Sequence, residues 1–158
     1  LDVTTALSNS SYNNNHSAGF TLIELMVTIA VLAIIVSIAA PNVSTQLANQ
    51  RVKATTATLE NALKEAKAES LIRRQEIEVS IDDDDYKIEI EDNSSTSIAS
   101  YTYNTKSVID GDDVEFKPNK TADEETLTIC DSNTNASPRL VKVSKLGQVS
   151  VSIGGSCS

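Results

Sequence analysis

From Phe20 to Ala40 the chain runs 21 residues with one charge, Glu24. At about 1.5 Å rise per residue this span is roughly 31 Å long as a helix, the thickness of a bilayer core. A carboxylate inside such a span costs about 2.5–3.5 kcal/mol on insertion scales, less near an end where it reaches the interface. A group that unfavourable reads as functional. Pro41 closes the run, and Gly19 stands immediately before it.

Gly19-Phe20-Thr21-Leu22-Ile23-Glu24-Leu25 followed by the apolar run resembles the class III signal of type IV pilins and type II secretion pseudopilins. The resemblance implies cutting by a prepilin peptidase between Gly19 and Phe20 and methylation of the new Phe20 amine. Glu24 then matches the fifth mature residue of that family. Two other readings of the run are weaker. A plain transmembrane anchor leaves the placed Glu24 and the Gly-Phe junction without a reason. A secretory signal cut near Ala40 calls for a basic n-region and an h-region of about 7–15 residues, and neither is found.

Residues 1–19 are polar, rich in Asn and Ser, and without Lys or Arg, which predicts a leader peptide. Arg51 and Lys53 follow the span, so charge counting alone favours the head on the cytoplasmic side. The chain opens on Leu1 rather than Met, which leaves room for basic residues upstream. Two cysteines without a CxxC argue for one disulfide, Cys130–Cys157, and against a zinc site. Two free thiols are the alternative. A disulfide belongs in an oxidising compartment. The expectation is therefore a single-pass protein of the bacterial inner membrane, with its head in the periplasm and later in a filament at the surface.

The helix is expected to run on through a kink at Pro41 to about Arg74. Val52, Leu59, Leu63 and Ala66 fall on one face and should pack on the protein's own sheet. The part from Phe20 to Leu47 has no such partner and must find membrane or other subunits. Past Arg74 the period changes from 3.6 to 2. Glu76–Ile81 and Tyr86–Glu91 alternate around Asp82–Asp85 as a hairpin. Further strands are predicted at 99–104, 114–117, 126–130, 139–144 and 148–153, the last two joined by Lys145-Leu146-Gly147. With two Phe, four Tyr and no Trp, the core must come from Val, Ile and Leu. The fold class is α+β: a long N-terminal transmembrane helix packed on an antiparallel sheet or sandwich head. Its divisions are leader 1–19, helix 20–74 with membrane half 20–40, and β-rich head 75–158.

The helix end Ala66–Arg74, the segment Arg139–Val149 around Gly147, and the late Cys157 resemble the GspH/FimT group of minor pilins and pseudopilins. That resemblance implies a minor pilin of a type IV pilus, near its tip or in initiation. Its partners would be minor and major pilins through the N-terminal helix, prepilin peptidase, and the inner-membrane assembly platform. A pseudopilin of a type II secretion system is the alternative. In either filament Glu24 is expected to meet the methylated Phe20 amine of a neighbour and set register. The Cys130–Cys157 bridge would close a loop of about 28 residues and contribute about 2–4 kcal/mol.

Net charge is −9, concentrated in residues 82–125, while 126–158 carry Asp131 against Arg139, Lys142 and Lys145. Those three cations are candidates for weak nucleic-acid contacts, a second alternative of DNA uptake; the acidic remainder disfavours it. Asp82–Asp85 and Asp110-Gly111-Asp112-Asp113 are oxygen-rich turns without the EF-hand pattern, which disfavours calcium. The one His lies in the leader, and no catalytic set is formed. No cofactor, no metal and no enzymatic activity are expected.

Overall fold

The structure is a computed structural model that describes residues 20–157, and for 39–42 the backbone path only. Helix α1 runs Leu22–Arg73. Its first part, to Ile38, and the body from Ala39 onward are separate compact units. The Gly19 side of the expected cut lies outside the described residues. So do the side chains around the kink expected at Pro41.

In the body, α1 buries Ala48, Val52, Thr55, Thr56, Leu59, Ala62, Leu63, Ala66 and Ser70. Successive positions lie one, three or four residues apart, the spacing of a single helix face, so the buried set is one stripe. The helix ends where Arg74 turns left-handed, at φ 57°, the conformation that closes many helices at the residue after the last turn. Arg73 pairs with Glu69 in that turn, a cation placed where the helix dipole favours it.

Eight strands follow: β1 (Ile77–Asp82), β2 (Lys87–Asp92), β3 (Ser97–Thr102), β4 (Ser107–Asp110), β5 (Val114–Phe116), β6 (Glu125–Asp131), β7 (Arg139–Val143) and β8 (Val149–Ile153). They make two antiparallel sheets, β3-β2-β1-β5 and β4-β6-β7-β8. Period-two alternation places Ile77, Val79, Ile88 and Ile90 from the first sheet, and Ile109, Leu127, Ile129, Val141 and Val143 from the second, in one core with the helix stripe. Phe116 is the largest fully buried side chain. The segment after β5 ties the sheets together: Ala122 bridges to Phe116 and donates its N–H to the Lys145 carbonyl at 3.1 Å.

Strand β4 was not expected from the sequence. Its inward positions are Ser107 and Ile109, and Ser107 is buried because its hydroxyl accepts a hydrogen bond from Thr55 on α1 at 3.0 Å. A polar residue facing inward breaks the apolar alternation that marks a strand. The hairpin at Asp82–Asp85 is present, and its form is set by Asp82. That carboxylate accepts the N–H groups of Asp84 and Asp85 at 3.0 and 3.1 Å, and Tyr86 then takes a positive φ of 54°. The β7–β8 turn has Gly147 at φ 62°, a conformation glycine adopts without strain.

Candidate assembly site

The helix start is set by Thr21. Its hydroxyl accepts the Glu24 N–H at 3.2 Å, and its carbonyl accepts the Leu25 N–H at 3.2 Å. Thr21 is therefore the N-cap and Glu24 the third helical residue, the Thr-x-x-Glu arrangement of a capping box. Such a cap is worth about 1 kcal/mol. The Thr-x-x-Glu signal is legible in the sequence, and it gives Glu24 a second role beside that of a charge in an apolar span. A carboxylate in the first turn also faces the positive end of the helix dipole. Glu24 has no ion-pair partner among the described residues, and it stands exposed.

Around it the helix is apolar on every side. Phe20, Leu22, Ile23, Leu25 and Met26 are exposed, and so are the large side chains through Ile38. A helix that is apolar all round is a buried helix in its working state. Among the described residues no single helix is by itself long and apolar enough to cross a membrane. Leu22–Ile38 and Val43–Arg73 meet that length and composition only together.

In the body, α1 is clasped to the C-terminal region. Arg51 donates from Nε and a terminal nitrogen to the two oxygens of Asp131, both at 2.8 Å. The Asp131 side chain is fully buried and that of Arg51 only 16% exposed. The guanidinium holds the Asp131 carboxyl below the usual range against the opposing effect of burial, and the Asn133 N–H adds to the lowering. Asp131 follows Cys130, whose bridge to Cys157 spans 6.0 Å between Cα atoms. The loop after β6 also reaches α1: Ser137 N–H donates to Asn49 at 2.8 Å, and Asn133 to Ser44 at 3.3 Å. Arg51 and Asp131 lie 80 residues apart, so no sequence period linked them. By sequence alone Arg51 is a charge that follows the apolar span.

The cations Arg139, Lys142 and Lys145 are not brought together. Lys142 and Lys145 both approach Glu124, each at 4.0 Å, while Arg139 lines a cleft with Asn49, Lys53 and Ile153. In the first sheet Glu78 lies directly between Glu91 and Glu115 on the neighbouring strands. Glu78 is exposed, but partial desolvation among these neighbours pushes its carboxyl up, and Asp113, Glu115 and Glu91 add to it. Of the two acidic turns, Asp85 pairs with Lys87 at 2.7 Å and Asp113 accepts the Ile81 N–H at 3.1 Å. These carboxylates are committed to turns and strand ends.

Residues 14–40 match the family described as the prokaryotic N-terminal methylation motif. No curated protein sequence matches the chain at a significant level. The family match is confined to the N-terminal span. Two crystal forms of the type IV minor pilin FimU from Pseudomonas aeruginosa share the fold. One is 18% identical over 67% of this chain and 99% of FimU, with TM-score 0.58. The other is 16% identical over 69% and 96%, with TM-score 0.59. The minor pseudopilin EpsH of the Vibrio cholerae type 2 secretion system is 13% identical over 67% and 99%, with TM-score 0.56. The α+β fold, a helix packed on antiparallel sheets, is the pilin-like fold of these proteins.

Proposed function

We propose that this chain is a minor pilin of a type IV pilus, acting in the tip or initiation complex. A prepilin peptidase cuts it between Gly19 and Phe20, and the new Phe20 amine is methylated. The apolar helix then holds the subunit in the inner membrane with the head in the periplasm. The assembly platform extracts it, and the same helix packs against the helices of major and minor pilins. The observation that carries this reading is the apolar surface of Phe20–Ile38 around a single carboxylate. Such a surface is stable in lipid and in a helix bundle alike, so transfer between them is not opposed by exposure to water.

Glu24 supplies selectivity. Next to a neighbour's amine, in a low dielectric, it is compensated; elsewhere in the bundle it is a buried unpaired charge. It therefore sets axial register more than it adds stability. The structural role needs no catalytic group, metal or cofactor. The experiment is mass spectrometry of the cellular protein together with incorporation of Glu24→Val. A methylated Phe20 terminus and a membrane-inserted variant excluded from the filament are expected. Any other N-terminus, or normal incorporation of Glu24→Val, refutes the model.

The likeness to EpsH favours one second reading, a minor pseudopilin of a type II secretion system. The Phe20 and Glu24 chemistry is the same in both. Neighbouring genes decide: pilus subunits support the first reading, a secretion operon the second.

A further inference from the structure

Strand β8 is the outer strand of its sheet and pairs only with β7 among the described residues. Its sequence, Val149-Ser150-Val151-Ser152-Ile153, holds no charge and no proline. The β7 pairing is continuous through five residues without a bulge. Edge strands are normally blunted by charges, proline or bulges, because a free row of N–H and C=O groups recruits another strand. None of those devices is used here. By register, Val149, Val151 and Ile153 share the face of Val143, Val141 and Arg139.

Two clefts lie along this edge, between it and α1. One, about 450 Å³, is lined by Lys64, Lys67 and the stretch Gly147–Ser150. The other, about 220 Å³, is lined by Asn49, Lys53, Ser137, Arg139 and Ile153. Lys53 to Lys67 spans about 21 Å of helix, and Gly147 to Ile153 about 20 Å of strand. The two clefts thus lie at opposite ends of the β8 edge, about six residues of extended chain apart.

Both clefts are lined by cations, Lys64 and Lys67 in one and Lys53 and Arg139 in the other, in a chain of net charge −9. Lys64 is paired with Glu60 at 2.6 Å, and Lys67 donates to the Gly147 carbonyl at 2.8 Å. The side chains of Lys53 and Arg139, at the other end, have no hydrogen-bond or ion-pair partner among the described residues.

We infer that this edge, with the clefts at its two ends, takes an extended acidic segment of another protein chain, which adds beside β8 as a fifth strand. Backbone pairing with the free edge supplies the affinity. Acidic side chains on the inner face of the added strand meet Lys53 and Arg139, which favours encounter and fixes register. The β8 edge of a second copy is the poorer occupant, since it would set the cations of the two copies against each other. The inference goes beyond the filament reading and holds for either filament.

The test uses the full chain in detergent micelles and a labelled eight-residue peptide of alternating Glu and Thr, followed by fluorescence anisotropy at low salt. Saturable binding is expected, with slowed hydrogen exchange at the β8 amides. Only one edge of a strand can pair with β8. Peptides N-methylated at every Thr or at every Glu should therefore differ, one of them losing at least tenfold in affinity. Lys53→Gln with Arg139→Gln should weaken binding about fivefold, and Ser150→Glu with Ser152→Glu should abolish it. Equal binding of the two methylated peptides means a diffuse charge attraction and overturns the inference. So does stronger binding of a Lys–Thr peptide, or displacement of the acidic peptide by a short DNA duplex at lower concentration. Self-association of the chain that Ser152→Glu removes, with no peptide bound, assigns the edge to a second copy and also overturns it.

Discussion

Cutting the disulfide at Cys157 should lower the melting temperature of the body by roughly 14 °C. Cys157 is the exposed end of the bridge and Cys130 the buried one, so Cys157→Ser removes the cross-link and leaves the packing of Cys130 in place. The bonded residues are 27 apart, and the loop between them contains β7 and β8. Releasing it returns loop entropy to the unfolded chain. The chain-entropy relation gives about 3.6 kcal/mol for a loop of this length at 25 °C. The unit from Ala39 to Ser158 should have an unfolding entropy of about 0.25 kcal/mol/K near 60 °C. The ratio of the two is the expected shift. Tyr86, Tyr101 and Tyr103 all lie in the head, so tyrosine fluorescence of the full chain in micelles follows its melting. Wild-type protein under reducing agent should melt with the variant. A shift below about 4 °C, or reduced wild type melting with the oxidised protein, would show that the bridge does not act through the unfolded ensemble.

Three further outcomes follow from the packing and the charges. Glu78→Gln should raise stability at pH 7 by a few tenths of a kcal/mol, because it relieves like charges directly opposite on both neighbouring strands. The folded-state carboxyl is shifted upward, so the penalty is absent below about pH 4 and grows as pH rises through the folded value; melts across pH 3–7 should show the gain disappearing in acid. Asp131→Asn should lower the melting temperature by several degrees at pH 7. The Asp131 carboxyl is shifted downward, so its contribution is present above the ordinary carboxylate value and lost as pH falls through the folded one. The two proteins should therefore converge at acid pH, below the ordinary carboxylate range, in titrations followed by circular dichroism. Gly111→Ala should cost about 1–3 kcal/mol in urea unfolding. Gly111 sits at φ 147°, and a Cβ there would meet Leu127 Cδ2 at 2.6 Å and its Cα at 3.2 Å.

The acidic stretch Asp110-Gly111-Asp112-Asp113 shows where reading by residue type stops. Its composition suggested an oxygen-rich surface turn. In the fold, Asp110 ends β4, Gly111 allows the backbone to pass over buried Leu127, and the Asp113 carboxylate receives the Ile81 N–H. None of these partners is near it in sequence. Strand β4 was hidden for the same reason, since Ser107 is inward only because Thr55 of the helix awaits it.

By itself the sequence determined the properties that repeat at short range. These are the helix with its two differently clothed halves, the change of period at Arg74, the β1–β2 hairpin, the Gly147 turn, and a lone carboxylate in an apolar span. Each depends on the periodicity of side chains or on one residue's backbone freedom, and both are local. Only the tertiary structure decided the Arg51–Asp131 clasp, the row Glu91–Glu78–Glu115, the separation of Arg139 from Lys142 and Lys145, and the bare β8 edge beside a basic helix face. Those arrangements come from sheet order and from the face of the helix that each sheet meets. Chain closure over tens of residues fixes them, and no spacing along the sequence encodes it.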